Sequence, residues 1–428
     1  MMKHRTLIAI LLLVTDAVAA QDTVRMTLDS CLRYAYSHNL QVRAATLNRE
    51  SADVTLTGAK MRFFPSINAS ASEGWSWSDQ TTRSGSVGLS GSLTLFNGLE
   101  NLLNYRYSRI GAQQSDLKVQ QAENSVGLQI VKAYLTVLMN EEKLAYQREV
   151  LETSRQQQLE GEVKYHVGRL LESDYLLLQA NYTSAQAEID NTLLTIEDNR
   201  SELSTLLDRD DVVIDVIPST DSLRASECTV PTFDTLLAQA RRALPDWQIS
   251  EMDVEMARLN VGMARSSFLP TVSLNAGTSY NNGAIVSDNP ITTINGGLNT
   301  NLTLGLSVPI LNRGASLTQY KQSKINLQQA QLQQRQTEVD IENDIQGLHL
   351  TLQQALNRFR SAEALATAYR ASYDVYVLKF AEGAVTTVEM LQQQDHYLSA
   401  LNDYLQSKYN YILAEKQLDI YTGKEIKL

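Results

Sequence analysis

The sequence predicts a mainly α-helical fold with membrane β-strands, written as a tandem repeat. Three observations predict it. The stretch AKMRFFPSINASAS at Ala59–Ser72 returns as ARSSFLPTVSLNAG at Ala264–Gly277. The segments Gly98–His166 and Gly314–Ala381 contain no proline, and the second keeps a heptad frame for most of its length. Between the helical segments the apolar period drops from 3.5 to 2.

The chain starts MMKHRTLIAILLLVTDAVAAQDT, with Lys3 and Arg5 ahead of an apolar run from Leu7 to Val14 and small residues after it. This reads as a signal peptide over residues 1–19, with the mature chain starting at Ala20 or Gln21. No cysteine stands at that junction, so a lipid anchor is not indicated. No other uncharged apolar run approaches the roughly 18 residues that a membrane helix needs. A membrane crossing must therefore use strands.

A net charge of −11 excludes the broad positive field of a nucleic-acid binder. An apolar content of 43% is enough for a substantial core, and only 7 prolines interrupt it. Cys31 and Cys228 are the only cysteines, too few for a disulfide-dense scaffold or a four-cysteine zinc site. A disulfide between them and two unpaired thiols are both compatible with the sequence.

The repeat sets the domain plan. At an offset of 205, Phe63 matches Phe268, Pro65 matches Pro270 and Trp75 matches Tyr280; at 215, Phe96 matches Leu311, Tyr105 matches Tyr320, Gly168 matches Gly383 and Tyr182 matches Tyr397. The extra residues of the second copy fall between Tyr280 and Leu311. The first copy spans 20–207 and the second 232–428, with a linker at 208–231.

In the first copy a helix from Leu28 to Arg62 leads into a β-hairpin at 66–95, a long helix at 98–166, a tight turn and a helix at 172–207. The second copy repeats this order, with a hairpin at 271–310 and helices at 314–381 and 387–421. The frame of the second long helix runs Ile341, Ile345, Leu348, Leu352, Ala355, Phe359, Ala362, Ala366, Tyr369, Tyr373, Tyr376, Phe380. Subtracting 215 gives the same frame in the first, from Val126 and Ile130 to Gly161 and Tyr165, with more polar members. Each would reach roughly 100 Å as one helix, far more than a globule needs.

In the strands, Ile67, Trp75, Trp77, Val87, Leu89 and Leu93 alternate with Ser, Asn and Gly; so do Val272, Leu274, Tyr280, Leu302, Leu304, Leu306, Val308 and Ile310 in the second copy. The polar positions are small and uncharged and aromatics sit near strand ends, which favours a barrel whose apolar face meets lipid. Four strands cannot close alone, and an open edge is not tolerated in lipid, so the barrel must be shared among subunits. The hairpin loop at Gln80–Arg83 reads as short and that at Asn281–Asn299 as longer.

The chain resembles the TolC-like outer-membrane efflux proteins over essentially its whole mature length. The resemblance rests on FFP or FLP before a strand, LFNG and ILNRG after the second strand, and YHVGRLLESDYLLLQA and KFAEGAVTTVEMLQQQ at the far turns. It implies a homotrimer with a twelve-stranded outer-membrane β-barrel, continued by a long periplasmic α-helical barrel. It also implies a periplasmic adaptor (membrane fusion) protein and an inner-membrane pump of RND or ABC type as partners, with drugs, metal ions or proteins as cargo. By its spacing from Gly168 and Gly383, it marks Asp174 and Glu389 as aperture carboxylates. Adaptor docking falls to the tip turns, Val167, Gly168, Leu170, Leu171, Gly383, Ala384 and Val385. The basic latch of the family has no counterpart at Val385, and Arg169 is the nearest candidate.

Asp174 and Glu389 read equally well as helix N-terminal acids stabilised by the dipole. His38, His166, His349 and His396 are scattered, and no HExxH, nucleophile elbow or phosphate loop is present. The expectation is no enzyme, no cofactor and no metal site. The competing class is a soluble periplasmic coiled-coil scaffold or adhesin with a small sheet.

Overall fold

The structure, a computed structural model, describes residues 23–77, 81–209, 212–217, 229–286 and 292–424. The segment read as a signal peptide, most of the linker, Cys228 and Gln80 lie outside the described residues. The elements in order are β1 (Thr23–Met26), α1 (Leu28–His38), α2 (Leu40–Met61), β2 (Ser66–Trp77), β3 (Thr81–Asn97), α3 (Glu100–His166) and α4 (Glu172–Leu206). They continue with β4 (Val213–Val216), α5 (Phe233–Ala243), α6 (Pro245–Ser266), β5 (Thr271–Val286), β6 (Thr292–Ser307), α7 (Ala315–Ala381) and α8 (Thr387–Tyr421). No described helix is long and apolar enough to cross a membrane.

The chain forms two compact units, and each draws on both repeats. One comprises Arg43–Ala122 and Leu237–Ile345; the other comprises the chain up to Val42, Glu123–Leu236 and Gln346–Leu428.

The first of these holds the sheet. Its four strands are antiparallel in the order β2-β3-β5-β6, which leaves β2 and β6 as edges. Pro65 and Pro270 sit between helix and strand, where the ring disfavours a helical residue before it. The strand-to-helix turns use two consecutive left-handed residues in both copies, Gly98 (φ 65°) and Leu99 (φ 70°), then Arg313 (φ 58°) and Gly314 (φ 80°). Glycine takes the first place in one copy and the second in the other. At Gly98 a Cβ would lie 2.8 Å from the Ser266 carbonyl oxygen, so α6 is seated directly on this turn.

Four strand readings differ from expectation. Thr81–Arg83, read as part of the first hairpin loop, already belong to β3, with Trp77 opposite Thr81 and Trp75 opposite Arg83. The stretch Asn281–Asn299, expected as a loop, is mostly strand, because β5 continues to Val286 against the first half of β3, with Ser84 opposite Gly283 and Thr82 opposite Ile285. Asn and Gly there read as turn residues locally, but a free β3 ladder supplies their backbone partners. Val308 and Ile310, expected in the second hairpin, lie beyond β6; Pro309 has no N–H for a ladder, and Ile310 is 93% exposed. Leu95 falls at a bulge, after which Phe96 rather than Leu95 pairs, opposite Val272.

In the other unit, the helix expected from Leu28 to Arg62 starts as α1 and breaks at Asn39, which is extended (φ −56°, ψ 133°). Asn39 serves both sides of the break: its backbone N–H closes α1 on Ala35, and its side-chain oxygen accepts from the Gln41 N–H at 2.9 Å. Its Nδ2 donates to the Leu206 carbonyl at 2.8 Å, fixing the break on the end of α4.

A pairing invisible in the sequence lies next to it. β1 and β4 form a parallel two-stranded ladder, Val24 opposite Ile214 and Met26 opposite Val216. Tyr134, 1% exposed, donates from its hydroxyl to the Ile217 carbonyl at 2.7 Å and to that of Met26 at 3.3 Å. Arg200 joins Glu141 (2.7 Å) to Asp215 (2.6 Å), tying α3 and α4 to β4. Around them Leu28, Cys31, Val126, Ile130, Val137, Leu203 and Ile214 form a dry core. Burial there pushes the Cys31 thiol up to about 12, so it is a packing residue and not a reactive one.

The heptad positions Ile345, Leu348, Leu352, Phe359, Ala362, Ala366, Tyr373 and Phe380 are buried, as are Val126, Ile130, Ala133, Val137, Leu144 and Ser154 in the first frame.

Candidate functional site

Two places hold the candidate functional residues, one in each unit. In the sheet, register decides which side chains share a face. Ala69 lies opposite Leu89, Ala71 opposite Val87 and Trp75 opposite Arg83. Val87 then meets Tyr280, and Leu93 meets Leu274. Tyr280 meets Leu298, Ala276 meets Leu302, Leu274 meets Leu304 and Val272 meets Leu306. Ile67 and Trp77 continue the β2 face by period 2. Twelve of the fourteen apolar residues read as one strand face therefore share one face of one sheet, Val308 and Ile310 falling beyond β6.

Two pairs of polar residues are set into it. Thr278 and Thr300 hydrogen-bond through their hydroxyls at 3.1 Å, and Glu73 pairs with Arg83, whose guanidinium lies 5.9 Å from the Trp75 ring centroid. The other face carries small polar residues over much of the ladder: Ser66 opposite Ser92, Ser72 opposite Ser86, Ser90 opposite Gly277 and Asn275 opposite Thr303. Serine hydroxyls pair across it at 2.8 Å in two places, Ser66 with Ser92 and Ser72 with Ser86.

In the other unit the helix tips carry the second site. α3 and α7 end in the same turn. Gly168 (φ 71°) and Gly383 (φ 77°) take the left-handed position that lets a helix end reverse without a Cβ clash. The Gly168 N–H bonds to the Tyr165 carbonyl and that of Arg169 to Lys164; the Gly383 N–H bonds to Phe380 and that of Ala384 to Lys379. Leu170 and Val385, equivalent by the repeat, fold back half-buried onto a core of Val150, Leu178, Tyr373, Phe380, Met390 and Tyr397. Val167 and Leu171 stay exposed.

The two aperture candidates are not alike. Glu389 is the third residue of a capping box: its carboxylate accepts from the Thr386 N–H at 2.8 Å, while the Thr386 hydroxyl accepts from the Glu389 N–H at 3.2 Å. These bonds hold the Glu389 carboxyl below its ordinary pKa. Asp174 has no such cap, because Leu171 stands where Thr386 stands in the second copy. The Arg169 side chain makes no hydrogen bond or ion pair among the described residues. The basic group that engages a helix end is Lys164, whose Nζ donates to the carbonyls of Phe380 (3.1 Å) and Ala381 (3.0 Å).

Sequence reasoning also missed a buried polar cluster behind the tip. Asn181 of α4 donates to Ser154 of α3 at 3.1 Å and to Gln394 of α8 at 3.2 Å, so Ser154, a polar member of the first frame, finds its partner on a neighbouring helix. The histidines pack: His38 stacks on Tyr34 at 4.0 Å and His396 on Tyr369 at 5.5 Å. Among the described residues no three His, Cys, Asp or Glu side chains come together as a metal site.

A profile of the outer membrane efflux protein family matches residues 32–209 and 236–424. The chain is 21% identical over 391 residues to the outer membrane protein TolC of Vibrio cholerae serotype O1, covering 90% of this chain and 87% of that protein. It is 22% identical over 410 residues to the alkaline protease secretion protein AprF of Pseudomonas aeruginosa, covering 91% and 82%. Its fold is similar to the crystal structure of the outer membrane protein VceC from Vibrio cholerae, with a TM-score of 0.77 at 16% identity, over 94% of this chain and 97% of that one.

Proposed function

Because the chain belongs to the outer membrane efflux protein family, whose members are non-enzymatic ducts of the outer membrane, we propose that it is the exit duct of a tripartite efflux pump or a type I secretion system. Three copies join edge to edge, β6 of one to β2 of the next, and 3 × 4 strands close a twelve-stranded barrel. The observation that carries this reading is the sheet itself. Its apolar face spans all four strands with a few polar pairs set into it, its other face carries small uncharged residues, and its edge strands β2 and β6 have no further strand partner among the described residues. In lipid such edges must be paired, and symmetric copies pair them most simply.

The duct is passive. A periplasmic adaptor docks on the tip turns, where Val167 and Leu171 offer exposed apolar side chains, and an inner-membrane pump of RND or ABC type supplies the energy. Asp174 and Glu389 ring the aperture and favour cations there by their summed field. With Glu389 held in its capping box, Asp174 is the carboxylate free to move as the tip opens. Drugs, metal ions or secreted proteins are the cargo classes, and AprF carries protease secretion in its name.

The test is fractionation followed by planar-bilayer recording. Recovery from the outer membrane as a trimer with cation-preferring conductance supports the duct. Recovery in the aqueous periplasmic extract sinks it and favours the scaffold class. Asp174→Asn should lower cation preference more than Glu389→Gln, and unchanged selectivity in both removes these carboxylates from the aperture.

A further inference from the structure

The two long helices end in one pattern, a lysine, an aromatic residue and then a glycine three positions on: Lys164-Tyr165-His166-Val167-Gly168 and Lys379-Phe380-Ala381-Glu382-Gly383. Both ends close with the same pair of turn hydrogen bonds. Within the chain, only one of the two lysines is used across helices. Lys164 leaves its own helix and donates to the Phe380 and Ala381 carbonyls at 3.1 and 3.0 Å, with its Nζ 4.9 Å from the Phe380 ring centroid. Those carbonyls belong to the last turn of α7, where the helix dipole concentrates negative potential and a cation is favoured.

The reciprocal donor and acceptors are present and do not meet within the chain among the described residues. Lys379 is exposed and makes no hydrogen bond or ion pair among the described residues; its Nζ lies 5.3 Å from the ring centroid of Tyr376 on its own helix. The matching acceptors are the carbonyls of Tyr165 and His166 at the end of α3. They receive no side-chain donor among the described residues, and Tyr165 supplies the ring equivalent to that of Phe380, stacked on one side against Tyr175 at 5.4 Å.

We propose that Lys379 of one subunit caps the α3 C-terminus of the next, on the Tyr165 and His166 carbonyls, so that the tip is held by lysine latches within and between chains. The inference rests on the trimeric reading above. In a closed ring built from a two-copy repeat, the face that copy one shows to copy two inside a chain is met again where copy two faces copy one of the next chain. A donor and an acceptor pair used inside the chain therefore recur at the subunit boundary. The partner is a second copy of this chain, and the chemistry is an ammonium on helix-end carbonyls over an aromatic ring. Opening the tip separates these helix ends and breaks both kinds of latch.

The test uses the full chain in detergent, with Cys31 and Cys228 replaced by alanine. Lys379→Cys with His166→Cys, treated with a short bis-maleimide, should give covalent dimers and trimers on a denaturing gel. The control pair, Lys164→Cys with Ala381→Cys, should link within one chain and add no mass. Light scattering on the untreated protein reports the trimer separately. A trimer that yields no intersubunit product overturns the latch alone; a monomer overturns the trimeric reading and the latch with it. In bilayers, Lys379→Met should raise the open-to-closed ratio roughly fivefold, and Lys379→Arg should stay near wild type. Equal ratios in Lys379→Met and wild type would also overturn the proposal.

Discussion

The Glu389 carboxylate accepts the Thr386 N–H at 2.8 Å, while its repeat equivalent, Asp174, follows a leucine with no capping side chain. The folded state thus holds the Glu389 pKa below its ordinary value through hydrogen bonds to the charged form. Its contribution to stability is present above the unfolded pKa and disappears as pH falls through the lowered folded pKa. Protection of the first-turn amides of α8, taken relative to their intrinsic exchange rate at each pH, should therefore fall on acidification in wild type. In Glu389→Gln it should start lower and change little with pH. Parallel pH profiles in the two proteins would show that the box does not hold this end of α8.

The strand-to-helix turns give a paired test of backbone conformation. Gly98 and Gly314 both have positive φ, but a Cβ at Gly98 meets the Ser266 carbonyl at 2.8 Å and the Leu269 Cβ at 2.9 Å, while one at Gly314 meets nothing within 4 Å. Gly314→Ala should cost about 1 kcal/mol, the left-handed penalty alone. Gly98→Ala should cost roughly 3 kcal/mol or more, because backbone must also move. Chemical denaturation in detergent reads the difference, and equal losses would contradict the close seating of α6.

Tyr134 is the pin of the β1–β4 ladder. Tyr134→Phe keeps the ring in the core and removes the bonds to Ile217 and Met26, so it should destabilise by about 1–2 kcal/mol. The loss should be local, with faster exchange of the β1 and β4 amides and little change in the sheet. Uniform acceleration across the chain would argue against a pin.

The two faces of the sheet predict opposite phenotypes for neighbouring residues. Leu89→Arg places a cation on the apolar face and should cost about 2–4 kcal/mol if it lies near mid-membrane, seen as reduced trimer in the outer membrane. Ser90→Arg, one residue on, points into the polar face and should assemble normally but lower conductance. The same result for both would mean that register does not separate lipid from lumen.

Much of this was legible along the chain. Period 2 in Ser66–Ser92 and in Val272–Leu306 names the two faces, because successive strand residues point to opposite sides whatever the strand pairs with. Gly168 and Gly383 announce helix ends, because the left-handed position is a property of one residue. The heptad frame likewise states which side of each long helix is dry.

The remainder depended on partners far apart in sequence. Thr23–Met26 and Val213–Val216 are too short to carry a period, and they are strands only because they pair with each other and with Tyr134. The Asn281–Asn299 stretch has turn-like composition, and it is extended because β3 had unpaired backbone to offer. Lys164 reads as an ordinary surface lysine until α7 ends beside it. The sequence by itself determined the repeat, the two periods and the places where helices stop, since these follow from local geometry acting on neighbouring residues. The tertiary structure alone decided which ladder is filled, which carboxylate is tied down and which lysine finds a helix end, since a hydrogen bond acts only over the distance at which its partners meet.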